Sequence, residues 1–214
     1  ITKILKEKKL KIIPTDKLQR NNAFPLDATS KKSVNGAMEK FRPNVVIHTA
    51  AITNVDWCES HKEETFNVNV FGTQNIVDAC KKFNAKLVFI STDYIFDGTK
   101  NSPYTEDDAP NPINVYGQSK LTGEKYIENI MENYIIIRTQ WLFGKNGKNF
   151  VSTILRLAKQ KDELKVVNDQ IGSPTYTVDL AYTTKTLIER ATLGIFNVTN
   201  SGHCSWYEFA TKIL

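Results

Sequence analysis

Residues 45–51 read Val-Val-Ile-His-Thr-Ala-Ala, a stretch that is apolar at odd and even positions alike. A half-exposed strand alternates apolar with polar, so a short run without alternation belongs to a strand covered on both faces. Two more runs of this kind follow, Leu-Val-Phe-Ile at 87–90 and Ile-Ile-Ile at 135–137. An earlier run at 10–13 and weaker ones at 166–167 and 195–198 fit the same reading. Helical periodicity fills the intervals: a face of Ile1, Ile4 and Leu5, then 63–83 (interrupted by Gly72), 116–131, 150–160 and 178–190. Ser205 and Glu208 have the spacing of a capping box at the head of a last apolar stripe. Helix and strand therefore alternate along the chain. This predicts an α/β fold, an open, doubly wound parallel sheet with 45–50, 87–91 and 135–138 adjacent in its buried centre.

Composition removes several classes of function. The net charge of +5 is spread over charges that alternate in sign. The one dense basic stretch, 3–11, reads as the solvent face of a helix. A nucleic-acid footprint would be a clustered patch, so no nucleic-acid partner is expected; a mildly basic surface suits an anionic small substrate. Cys58, Cys80 and Cys204 are odd in number and far apart, which excludes a disulfide scaffold and a zinc site and fits a reducing cytoplasm. His48, His61 and His203 lack metal-ligand spacing, and His48, inside an apolar run, reads as a core histidine. No stretch approaches 18 apolar residues, so no membrane span is expected.

In a doubly wound sheet, ligands bind outside the carboxyl ends of the strands. After the first run stands Asp16, placed like the acidic residue that binds the adenosine ribose in a Rossmann-like unit. Asp16 points to NAD, and Lys17 beside it to the 2′-phosphate of NADP; a plain turn fits equally well. Ala51, Ile52 and Thr53 follow the second run, where small residues would let the backbone approach a dinucleotide. Ser91-Thr92-Asp93-Tyr94 ends the third.

A loop rich in Pro, Asp and Asn, 97–114, then leads to Tyr116-Gly117-Gln118-Ser119-Lys120 at a helix start. Loops this long in compact domains are usually functional. Tyr116 and Lys120, four apart, share a helix face. A free tyrosine, with pKa about 10, is a poor acid at neutral pH. A neighbouring ammonium favours the phenolate, so the pair can exchange a proton with a carbonyl as hydride arrives or leaves. Thr92 can hydrogen-bond the same oxygen. A single Y-x-x-x-K arises readily by chance in a Lys-rich chain; its place after a long loop and a hydroxyl-rich strand end gives it weight.

Several stretches resemble the dTDP-4-dehydrorhamnose reductase family of extended short-chain dehydrogenases, which is NAD-dependent-epimerase-like. They are H-T-A-A-I-T-N-V-D, S-T-D-Y-I-F-D-G-T-K, P-Y-T-E-D-D, P-N-P-I-N-V-Y-G-Q-S-K-L-T-G-E, R-T-Q-W-L-F-G, V-V-N-D-Q-I-G-S-P-T and C-S-W-Y-E-F-A, in the family's order. The resemblance implies reduction of the 4-keto group of dTDP-4-dehydro-L-rhamnose to dTDP-L-rhamnose with NADPH or NADH. It implies Thr92, Tyr116 and Lys120 as the catalytic trio. Asp27 and Ala28 would lie beside the adenine. Ala51, Ile52 and Thr53 would lie along the phosphates and nicotinamide ribose, with Lys120 also on that ribose. Thr92, Asp93 and Trp141 would contact substrate, with Tyr94 and Val55 as weaker candidates; Trp141 as a core aromatic is the competing reading.

The resemblance also divides the chain into a dinucleotide-binding region, 1–142, and a region, 143–214, that contributes to a small C-terminal sugar-nucleotide lobe. The family's first strand and its Gly-rich loop do not occur in the sequence, nor does its last quarter. The expectation is a piece cut at both ends and inert alone. Ile52 departs from the aromatic or histidine expected there.

Two other readings stay open. One is a non-catalytic dinucleotide-binding subunit resembling the regulatory beta subunit of methionine adenosyltransferase. The other is a different nucleotide-sugar reductase or epimerase, against which V-V-N-D-Q-I-G-S-P-T speaks. NADH against NADPH, the exact hexulose and a homodimer are left open.

Overall fold

The computed structural model describes residues 11–18 and 22–214. The helical face of Ile1, Ile4 and Leu5, most of the basic stretch, and Leu10 lie outside the described residues. In chain order the elements begin β1 (Thr15–Asp16), β2 (Phe24–Pro25), α1 (Lys31–Phe41), β3 (Val45–His48), α2 (Val55–Ser60) and α3 (Lys62–Phe66). A π-helical segment (Asn67–Phe71) leads into α4 (Gly72–Phe83), followed by β4 (Lys86–Thr92), a 3-10 turn (Asp93–Ile95), α5 (Val115–Ile130) and β5 (Tyr134–Thr139). Then come β6 (Leu142–Phe143), α6 (Phe150–Ala158), β7 (Ile171–Gly172), β8 (Thr175–Tyr176), α7 (Thr177–Glu189), β9 (Gly194–Asn197), β10 (Cys204–Ser205) and α8 (Trp206–Ile213).

These elements form two compact units, one of residues 11–138 with 191–197, the other of 139–190 with 198–214. The first is an α/β unit around a four-stranded sheet ordered β3-β4-β5-β9. β3 pairs parallel with β4, His48 opposite Phe89, and β5 pairs parallel with β9, Arg138 opposite Asn197. The three apolar runs thus become neighbouring strands, but β3, expected in the buried centre, stands at the end of this sheet with Val45–Ile47 only half-buried. Leu87 and Phe89 point to one face of β4 and Val88 to the other, and all three are fully buried, which explains the missing alternation. Leu87, Phe89 and Ile136 meet Ile76, Val77 and Ile127 from α4 and α5 in the main core. Each such side chain contributes about 1.5–3 kcal/mol by leaving water.

Two expected strands are absent. At 11–13 no ladder forms; pairing starts where Phe24 donates to the Pro14 carbonyl. At 166–167 the chain is irregular, and the Val167 carbonyl accepts the Tyr207 N–H in the first turn of α8, whose own turn cannot satisfy it. The expected break at Gly72 is also corrected. Helix runs through it, and the irregularity is the π-helical segment just before. A Cβ on Gly72 would make only ordinary contact, 3.5 Å from that of Ala28, so the position neither breaks the helix nor requires glycine for space.

In the second unit β6 pairs parallel with β8, and β7 antiparallel with β10. Phe150 lies 4.4 Å from Trp206, and Phe143 5.6 Å from Phe209, between ring centroids. The Ser205–Glu208 capping box forms as expected, opening α8.

Candidate active site

α5 begins where Asn114 accepts the Gly117 N–H at 2.7 Å, the side-chain cap that fixes the first turn. That turn carries Tyr116, and one turn later comes Lys120; both are buried, at 8% and 3% exposure. Thr92 ends β4, and its hydroxyl lies near enough to the Tyr116 phenol to oppose the burial that raises it. The same hydroxyl accepts the Tyr94 N–H at 3.3 Å and donates to the Asp93 carboxylate at 3.2 Å. The Tyr94 ring, exposed, stands edge-on to Tyr116 at 5.8 Å. Val55 and Ile52 pack on Tyr116 with Cys58. Thr92, Asp93, Tyr94, Tyr116, Lys120, Ile52 and Val55 therefore cluster at the carboxyl ends of β3 and β4.

The electrostatics differ from the simplest reading of Y-x-x-x-K. Burial pushes the Tyr116 phenol up to about 12, and the Thr92 hydroxyl pulls it down only in part. Lys120 Nζ donates to the Ile90 carbonyl at 2.8 Å and lies 3.8 Å from the Phe89 ring centroid. Burial pulls its ammonium down to about 7. The expected depression of the phenol by the ammonium gives way to desolvation. The phenol therefore stays protonated at neutral pH, as a weaker acid than a free tyrosine. Asp93, half-buried, is pushed up to about 6 by burial, against its hydrogen bond from Thr92.

Other predicted residues have local partners. Asp16 accepts the Leu18 N–H at 2.7 Å. Asp27 accepts from the N–H and hydroxyl of Thr29 and pairs with Lys17 at 3.1 Å; the Thr29 hydroxyl above all holds its carboxyl below the ordinary value. Lys17, considered for a 2′-phosphate, is thus drawn to Asp27. Ala28 is buried, and its carbonyl accepts from Asn75. Ala51 is half-buried and Thr53 exposed. Trp141 belongs to the other unit. It stacks on Trp206 at 3.5 Å with φ of 48°, a left-handed conformation costly for a bulky residue.

Sequence reasoning missed the buried polar groups behind the site. Asn69, in the π-helical segment, accepts the Ile52 N–H at 2.8 Å and donates to the Ile52 carbonyl and the Ser119 hydroxyl. Ser119 in turn donates to the Tyr116 carbonyl. Glu124 and Arg138, an ion pair at 2.8 Å, were missed as well. The available signal was spacing: Glu124 continues the Tyr116–Lys120 stripe. Among the described residues no group of three or more His, Cys, Asp or Glu could hold a metal, and no helix is long and apolar enough to cross a membrane.

The sequence model of a family described as the RmlD substrate binding domain matches residues 1–214. The chain belongs to that family. Among its relatives, the spore coat polysaccharide biosynthesis protein SpsK of Bacillus subtilis (strain 168) is 43% identical over 189 residues, 88% of this chain and 66% of SpsK. The dTDP-4-dehydrorhamnose reductase of Aggregatibacter actinomycetemcomitans is 42% identical over 194 residues, with the same two coverages. This RmlD-family chain thus spans about two thirds of the length of the curated relatives it matches. A crystal structure of dTDP-4-dehydrorhamnose reductase from Bacillus anthracis in complex with NADP superposes with a TM-score of 0.92 at 42% identity, covering 99% of this chain and 73% of that one.

Proposed function

We propose that this chain carries the catalytic centre of a nicotinamide-dependent reductase that converts the 4-keto group of dTDP-4-dehydro-L-rhamnose to an alcohol, giving dTDP-L-rhamnose. The observation that carries the reading is buried Tyr116 with buried Lys120 one turn along α5 and Thr92 at the end of β4, at the carboxyl ends of the strands. Relatives that bear the reductase name, and one solved with NADP, support it.

The residues fit such a cofactor. Lys120 gives one N–H to Ile90, and its ammonium has others to offer a ribose hydroxyl. Ala51, Ile52 and Thr53 would line the phosphates and ribose. Asp16, Asp27 and Ala28 would lie at the adenosine end. When bound, NADPH or NADH supplies the hydride.

The chain's own residues supply the rest. Tyr116 holds its proton at the phenolic oxygen and donates it to the substrate oxygen. Thr92 donates a hydrogen bond to that oxygen as charge develops. Lys120 holds the ribose and stabilises the phenolate that remains. Asp93, Tyr94 and Val55 bind the sugar. Residues 1–142 serve the dinucleotide and 143–214 the sugar nucleotide. Incubation of the full-length protein with dTDP-4-dehydro-L-rhamnose and NADPH or NADH should yield dTDP-L-rhamnose by mass spectrometry and NMR. Cofactor binding without any product would refute the reading.

A further inference from the structure

Tyr116, Lys120 and Glu124 recur every four residues along α5 and so form one stripe. Glu124 is fully buried, and Arg138 from β5 is buried against it. Arg138 Nη2 reaches Glu124 Oε2 at 2.8 Å and Nε reaches the same oxygen at 3.2 Å. A buried ion pair is weak grounds for stability, because apolar residues of the same volume often do as well. Its place in the stripe suggests another role.

The groups facing Lys120 leave one charge to act on it. On β3, His48 is neutral. The Thr73 hydroxyl donates onward to the Asn69 carbonyl, so it must accept from His48 Nε2–H, and burial lowers the imidazole to about 3. On β4 stand the Phe89 ring and the Ile90 carbonyl, and in the 3-10 turn Asp93, whose charge bears on Tyr116. From the π-helical segment and α4 come the uncharged Asn69 and Thr73. On α5 itself Tyr116 is neutral. Glu124 is the negative charge that raises the proton affinity of Lys120, against the burial that lowers it.

We propose that Glu124, anchored by Arg138, is a positioning residue that keeps Lys120 in its ammonium form beside Tyr116. The role rests on the reading of Lys120 as a site residue. Arg138 serves two ends: it fixes the carboxylate and tempers its field.

The test is an NMR titration of the Lys120 side chain in the full chain, with a pH–rate profile in parallel. In Glu124→Gln the midpoint should fall by about one pH unit or more, since an opposite charge is lost and Arg138 is left unopposed. In Arg138→Gln it should rise, because Lys120 becomes the carboxylate's remaining partner. A merely structural pair would leave both midpoints in place. Shifts in the same direction, or none, overturn the proposal. Should either single variant fail to fold, the double variant Glu124→Gln/Arg138→Met leaves no lone buried charge. Its midpoint should lie below wild type, and an unmoved midpoint overturns the proposal. Opposed shifts in a protein that makes no dTDP-L-rhamnose would sink the reductase reading and leave the charge relay intact.

Discussion

Gly117 tests whether the site depends on contact between α5 and the turn after β4. A Cβ built there would lie 2.0 Å from the Tyr94 carbonyl oxygen, 2.8 Å from its carbon and 3.0 Å from the Pro112 Cβ. The first of these is backbone and cannot swing aside. Gly117→Ala must therefore push the first turn of α5 away from the 93–95 turn by at least ~1 Å, a displacement on the scale that costs 100-fold in rate. The displaced turn carries Tyr116, and the turn it leaves begins at Thr92, so Tyr116 is carried away from Thr92. Overpacking should cost about 1–3 kcal/mol, offset in part by alanine's better helix propensity. For a chain of this size that is a fall in Tm of roughly 2–10 °C. Gly36→Ala in α1 is the control, since nothing lies within 4 Å of its Cβ. It should gain about 0.5–1 kcal/mol and keep full turnover. The assay is consumption of reduced cofactor alongside thermal melts of both variants. Gly117→Ala with wild-type turnover and Tm would refute the reasoning.

Tyr116→Phe should lower kcat by roughly a hundredfold or more, the scale of a lost general acid, with cofactor binding intact; near-normal turnover would remove the phenol as proton donor. Lys120→Met should shift the pH–rate profile and also weaken cofactor binding by about 1–3 kcal/mol, the scale of a lost charge-assisted hydrogen bond. An unmoved profile with unchanged affinity would sink both roles. Asp93 is raised from 3.8 to about 6, so folding penalises its carboxylate; that penalty is complete above the folded value and disappears below the unfolded one. Asp93→Asn should thus raise stability by on the order of 1–2 kcal/mol at about pH 8 and change little at about pH 4, while impairing turnover. Equal effects at both pH values in thermal melts would contradict the assigned cause.

How much of this could be read in the sequence follows from what each signal depends on. The strands 86–92 and 134–139 were legible because their apolar stretches, Leu87–Phe89 and Ile135–Ile137, are buried on both faces; in 45–48 the apolar run was equally plain, though Val45–Ile47 are only half-buried. The run at 166–167 looked the same but was two residues long, too short for period to carry meaning, and a helix end claimed its carbonyl. Tyr116, Lys120 and Thr92 were legible because their chemistry is local: two lie on one helix face and the third at a strand end. Asn69 was not. Its partners are Ile52, 17 residues before it, and Ser119, 50 residues after it. No periodicity links positions so far apart.

The same distance separates what Y-x-x-x-K suggests from what the fold does with it. The motif alone predicts an ammonium that depresses a phenol. The fold buries both, and desolvation works against each charge, raising Tyr116 and lowering Lys120. The phenol holds the proton that reducing a carbonyl requires, but burial makes it costly to release. Once the phenol has given it, a phenolate remains in a site that penalises charge, a cost that Thr92 offsets in part and a nearby cation offsets further. Lys120 gives that offset only as an ammonium. The decisive variable is the balance between burial and the one carboxylate in its stripe, so the chemistry of the pair is set at Glu124, two turns from the reacting atoms.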